Sequence, residues 1–461
     1  MNPAVAANAP WSGHDTWLLG LVGISIALVV LLISWMKVHA FLGLAAGSFA
    51  VSLLSGHPVE KAAHSFTSGF GETAGKVGIL IVLGAVLGRL LAESGGIDQI
   101  VHTLTRLAGP KMLPWVLTLV AAIVGLPMFF EVGFVMLVPL VLQLARRDGH
   151  PVVRVGIPAM AGLATVHALI PPHPGPLVAI EAVHASIGVT MAFGLLVAVP
   201  CAIVVGPLFT AYIWPRVSAE IPESVIAAFT TSEEQEHSGR KPRFSVTLGT
   251  ILLPVVLMLL KALVETVGLP DGPVSTAFDF LGTPVVAMLI AVGVALFTLG
   301  YGSGASRRGV HDALARSFPP VAGVLVIVGA GGGYSQALED SGVNSAIGLA
   351  AHHLQLPLLL LAWLVAALMR TAVGSGTVAT VAASGIVGPL AQGLDAPHAA
   401  LVVLALGSGA AFLGHVNDAA FWMFREYFGL TISGTLRTWT ASHTLLSLTS
   451  LACVLLLNLI I

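Results

Sequence analysis

The chain has 461 residues, 56% of them hydrophobic and only 9% charged, with a net charge of −2. A soluble domain carries about 25% charged residues, so with a mean hydropathy of +0.95 the composition excludes a soluble fold and reads as an all-α polytopic membrane protein. The charge offers no footing to nucleic acid, and the two cysteines, Cys201 and Cys453, lie in apolar runs and form no disulfide or metal framework.

Residues 1–16 contain no Lys or Arg, so no cleavable signal is expected and they read as an extracytoplasmic leader. The first apolar run, Trp17–Met36, is followed by Lys37, and the positive-inside rule then places the N-terminus outside. Phe41–Leu54 returns outward. A loop with His57, Glu60, Lys61 and His64 follows, and Val77–Ala92 runs inward. Leu113–Leu144 is basic at both flanks, with Arg106 and Lys111 before it and Arg146, Arg147 and Arg154 after it. Both ends are therefore expected in the cytoplasm, yet about 32 residues are too few for two crossings of ~20 each. The segment, about 113–145, predicts a re-entrant hairpin with its tip near Pro127–Gly133. Val155–Ala182 crosses outward and is broken at Pro171-Pro172-His173-Pro174-Gly175-Pro176, because proline lacks the amide N–H and clashes with the preceding turn. Irregular backbone at membrane depth is tolerated only where protein buries it or water lines it. Thr190–Trp214 crosses inward, and the polar stretch 215–244 reads as a cytoplasmic linker.

The second half mirrors the first. Phe244–Val267 goes outward, Pro284–Leu299 comes inward to Arg307, Arg308 and Arg316, and Val321–Leu338 goes outward again. Leu356–Leu394 has only acidic and histidine flanks and predicts the matching hairpin from the outer side, with its tip near Arg370–Thr377. Ala399–Phe424 returns inward, broken at Gly414–Asp418, and Trp439–Ile461 ends outside. Four landmarks recur in order: Ser94 and Ser341, Gly133 and Gly374, His173 and His415, Gly188 and Gly434, at offsets of 241 to 247 residues. The expectation is two inverted-topology repeats, 17–214 and 245–461, with about ten full spans, two re-entrant helical hairpins and two broken helices (about 155–182 and 399–424). Interrupted segments in corresponding places of two halves point to a transporter site.

Charge at membrane depth is costly and usually functional. Glu131 and Arg370 fall at the two hairpin tips. Either they form a structural ion pair, or Arg370 binds an anionic substrate, since guanidinium matches a carboxylate as a bidentate fork, while Glu131 accepts a proton. Gly374-Ser375-Gly376-Thr377 offers hydroxyls and backbone amides at a half-helix N-terminus, which suits a carboxylate; its glycines equally suit tight helix packing. His173 and His415 sit beside the helix breaks, where a group titrating near neutral pH can bind substrate or carry a proton; His167 reads as a helix–helix hydrogen bond. Gly175 shares the first break. Asn417 and Asp418 share the second, where their oxygens can hold a polyol or a cation, or satisfy freed backbone. Glu93, Glu339 and Asp340 read as solvated caps. No cofactor and no metal site is expected.

The motifs Phe130-Glu131-Val132-Gly133-Phe134, Pro171–Pro176, Gly374-Ser375-Gly376-Thr377-Val378-Ala379, Ser408-Gly409 and His415-Val416-Asn417-Asp418 through Phe421-Trp422 to Glu426-Tyr427-Phe428 together resemble the gluconate permease (GntP) family from about Trp17 onward. The resemblance implies proton-coupled uptake of gluconate or a related hydroxy-acid across a bacterial inner membrane. It also implies a homodimer in lipid with elevator-like motion, as in the ion transporter superfamily where that family is placed. Members also take fructuronate, idonate or D-serine, so the resemblance leaves the acid open. Two other readings stand beside it. One is a Na+-coupled carboxylate transporter of the same fold. The other is an intramembrane enzyme acting on lipid, which the two-fold repeat argues against.

Overall fold

The computed structural model describes residues 12–107, 109, 111–147, 149–221, 241–267, 270, 272–343, 346 and 357–461, and every regular element among them is helical. Most of the leader (1–11), most of the linker (222–240) and the first residue of the second hairpin (356) lie outside the described residues. The first half contains α1 (Gly13–Val30), α2 (Ala40–Leu54), α3 (Val59–Glu93), α4 (Gly96–Leu107), α5 (Leu113–Gly125), α6 (Phe130–Arg147), α7 (Val152–Leu169), α8 (Pro174–Val183) and α9 (Ile187–Arg216). The second contains α10 (Phe244–Val267), α11 (Pro273–Gly282), α12 (Pro284–Ser303), α13 (Arg307–Asp340), α14 (Leu358–Val373), α15 (Gly376–Val387), α16 (Ala396–Ala410), α17 (Ala419–Phe428) and α18 (Ile432–Asn458). Eight stretches among the described residues are long and apolar enough to cross a bilayer: Gly13–Ile33, α3, Val152–Val183, α9, α10, α12, α13 and α18.

Two departures from the expected elements have one cause. The stretch around Glu60 to Lys76 is helical rather than a loop, and α13 starts at Arg307 rather than Val321. At 1.5 Å per residue, 35 residues reach about 52 Å, well beyond the ~30 Å of hydrocarbon, so the polar turns can lie outside the hydrocarbon. They stay helical because α3 and α13 pack along each other. A Cβ added to Gly69 would lie 2.4 Å from the Gly332 carbonyl oxygen. The pair is fastened at both ends. Glu93 at the end of α3 takes Arg316 from near the start of α13 (2.9 Å), together with Arg89 (2.5 Å). Asp340 at the end of α13 accepts from Ser65 near the start of α3 (2.5 Å). The two long helices therefore run antiparallel, and neither Glu93 nor Asp340 is the free, solvated cap expected of it.

A second crossing occurs twice. Gly162 of α7 meets α5, where an added Cβ would lie 2.2 Å from the Thr118 carbonyl oxygen. Gly409 of α16 meets α14, 2.2 Å from that of Trp363. Small residues let backbones approach in this way where no hydrophobic gradient drives helices together. These crossings bring the breaks α7–α8 and α16–α17 against the short pairs α5–α6 and α14–α15, and they close a cavity between them.

Candidate functional site

The cavity has a volume of about 220 Å³, below the roughly 300–1,000 Å³ of drug-sized pockets and suited to a small metabolite. Three short helices start at its wall: α8 with Gly175 and Pro176, α15 with Gly376 and Thr377, and α17 with Ala419 and Ala420. Each break is where proline, glycine or a capping side chain stops one helix and starts the next. Ser375 caps α15, accepting from the Val378 amide (3.4 Å), and Asp418 caps α17, accepting from the Ala420 amide (3.0 Å). The first-turn amides of Gly175, Gly376 and Thr377 have no preceding carbonyl within their helix to bond, and helix N-termini carry partial positive charge.

Arg370, in the last turn of α14, is 5% exposed and lines the cavity. Its Nη2 donates to Asp418 Oδ2 (2.5 Å), and its Nη1 donates to the Gly374 carbonyl. Trp439 of α18 donates from Nε1 to the same Asp418 oxygen (3.0 Å). The buried cation is thus paired with Asp418. Its Nε, like Nδ1 of His167 and Oδ1 of Asn417, has no hydrogen-bond partner among the described residues, and all three residues line the cavity.

Arg370, Gly374, Ser375, Gly376, Thr377, Gly175, Asn417 and Asp418 line the same cavity. His173 and His415 do not line it. His173 is buried behind His167, ring centroids 4.9 Å apart. His415 Nε2 lies 3.0 Å from the Thr371 carbonyl oxygen, and Asn417 Nδ2 donates to the same oxygen at 2.9 Å. Both side chains thereby occupy orphan carbonyls at the C-terminal end of α14. Glu131 sits in the first turn of α6, directly after the cavity residue Phe130; its side chain lies outside the described residues.

The sequence reading missed Trp439 and His443 and set His167 aside, yet all three line the cavity. The signal was there: Thr435, Thr438, Ser442, Ser447 and Ser450 dot an apolar helix at three- to five-residue spacing, which marks a protein-facing stripe. Trp439 is locked by Phe130 (centroids 5.5 Å) and Phe424 (5.4 Å), so the Asp418 partner is held by packing.

Gly374 is fixed by geometry. Its φ is +83°, and a Cβ there would lie 2.3 Å from the Asn417 carbonyl oxygen. Gly374→Ala is expected to separate the α14–α15 turn from the second break and to abolish transport. Detergent-solubilised protein should show a midpoint lowered by several degrees; an unchanged midpoint with normal uptake would contradict the contact.

Compared with known proteins, residues 17–460 match the family described as GntP family permease. The "Gluconate permease" of Pseudomonas aeruginosa is 45% identical over 97% of this chain and 99% of its own length. The "High-affinity gluconate transporter" of Escherichia coli is 39% identical over 96% of this chain and 100% of its own, and that organism's "Gnt-II system L-idonate transporter" is 37% identical over 95% and 98%. Among solved structures, the YdaH transporter of Alcanivorax borkumensis shares the fold at a TM-score of 0.62, covering 91% of this chain and 98% of that one at 16% identity.

Proposed function

The chain belongs to the GntP family of permeases, a multi-pass membrane transporter rather than an enzyme, and from that membership we propose that it imports gluconate or a similarly shaped sugar acid by proton symport across a bacterial inner membrane. The observation that carries the reading is the convergence of Arg370 and three helix N-termini on one small cavity. Guanidinium and first-turn amides favour a carboxylate. Asn417, Ser375 and Thr377 offer polar atoms to a polyol chain, and Asp418 holds the arginine. Relatives named for gluconate and for L-idonate support the class of acid.

Coupling to a cation follows from charge. Arg370 and Asp418 form a neutral buried pair, so an arriving carboxylate adds one uncompensated negative charge. Burying such a charge is expensive unless a partner neutralises it, and a co-bound proton is the smallest partner. Topology supports a moving carrier. The antiparallel α3–α13 pair and the crossing made once in each half favour two inverted repeats, 17–214 and 245–461. In that arrangement α5–α6 and α14–α15 form re-entrant hairpins from opposite faces. An elevator would then carry hairpins and broken helices past the long helices, in a homodimer with both termini outside.

Proteoliposomes test the coupling. An inward proton gradient is expected to drive accumulation of labelled gluconate, and exchange of sodium for choline to leave it unchanged. Uptake that ignores the proton gradient but needs sodium would replace the proton with sodium.

A further inference from the structure

Resting on that proton-symport reading, we propose that His443, on α18, is the group that takes up the coupled proton, bound at Nε2 from the outer solution and released from it to the inner one.

The geometry assigns its tautomer. Nδ1 lies 3.1 Å from the Trp439 carbonyl oxygen, which can only accept, so Nδ1 carries the hydrogen and Nε2 keeps a lone pair in the neutral ring. Nδ1 is thus the ring nitrogen engaged with the helix, and His443 lines the substrate cavity. The imidazole lies across the indole of Trp439, centroids 3.9 Å apart and planes tilted by 36°. A ring face so placed attracts a cation, and that same indole donates to Asp418 Oδ2, the arginine's partner. Protonation at His443 is therefore tied through one rigid aromatic to the Arg370–Asp418 pair.

The charged and titratable side chains acting on His443 are Arg370 from α14, Asp418 from the second break and His167 from α7. At the adjoining cavity walls α16 presents Gly407 and Ala410, with Ala411 just after it, and α9 presents Val205, none of them titratable. His167 is packed differently: its ring meets Phe130 and His173 edge-to-face, with centroids 6.0 and 4.9 Å apart, rather than lying across an indole. His415 is committed to the Thr371 carbonyl, away from the cavity.

The test is the pH slope of gluconate affinity on purified full-length protein, measured for wild type, His443→Gln, His443→Asn and Glu131→Gln. One proton bound with each anion makes the wild-type Kd rise about tenfold per pH unit on the alkaline side. Both His443 variants are expected to bind with a flattened slope, below about twofold per unit, while Glu131→Gln keeps the wild-type slope. A wild-type slope in either His443 variant would overturn the assignment and leave proton symport standing. Loss of the slope in Glu131→Gln alone would move the proton to that carboxylate, and loss of all binding in both His443 variants would make His443 a substrate contact instead. A flat slope in wild type, with uptake indifferent to a proton gradient, would remove the symport reading itself.

Discussion

Arg370→Ala is expected to lower gluconate affinity at least a hundredfold and to bring uptake to background. The guanidinium is the cation of the cavity wall, and its Nε still has a hydrogen to offer. Truncating one member of a buried, hydrogen-bonded charge pair costs about 2–5 kcal/mol, and a hundredfold is about 2.7 kcal/mol. Part of any such loss is structural, because Asp418 would be left buried and unpaired at a cost of about 3–5 kcal/mol in stability. The double variant Arg370→Ala with Asp418→Ala separates the two effects. It removes both charges, so its thermal midpoint should recover most of the way toward wild type. Binding should remain lost. A double variant that binds gluconate normally would show that the carboxylate is held elsewhere.

Asp418→Asn should act in the opposite direction on affinity. The single amide oxygen can keep the Ala420 cap or the Trp439 Nε1 bond but not both, because these donors reach different carboxylate oxygens of Asp418. What disappears is the negative charge opposite Arg370. The arriving carboxylate then neutralises the arginine itself and no longer needs a proton. At pH 8, Kd is expected to fall about tenfold, an electrostatic gain of about 1.4 kcal/mol, and the gradient should no longer drive accumulation. Turnover should drop as well, because a substrate held tightly in one state raises the barrier to the next. Weaker binding in this variant, with gradient-driven uptake intact, would show that the neutral pair is not what demands the proton.

The sequence made most of this layout legible because membrane segments obey few rules. Runs of apolar residues marked α9, α10 and α12 closely, clustered prolines marked the first break, and glycines beside polar residues marked the second break and the α14–α15 turn. Arg370, Gly374 to Thr377, Asn417 and Asp418, which line the cavity, were singled out because charge or broken backbone at membrane depth needs a reason. Tertiary facts were not legible. The polar half of α3 carries no hydrophobic signal and is helical because α13 lies along it. His173 and His415 had the right residue type beside the right breaks, but side-chain direction takes them off the cavity lining: one ring meets His167 edge-to-face and the other turns to the Thr371 carbonyl. His443 and Trp439 lie in an unbroken helix, where nothing local separates a cavity wall from helix packing; only the fold brings them to Asp418.

Occupancy of the cavity by the acid can be read directly by side-chain protection. Thr377 lines the cavity and is partly exposed. In protein with Cys201 and Cys453 replaced by alanine, Thr377→Cys provides a single thiol there for an anionic methanethiosulfonate reagent. Saturating gluconate is predicted to slow labelling at least tenfold, an equal concentration of sorbitol, which lacks the carboxylate, to leave it unchanged, and Arg370→Ala to abolish the protection. Labelling at the same rate with and without gluconate, in protein that still transports it, would place the substrate outside this cavity.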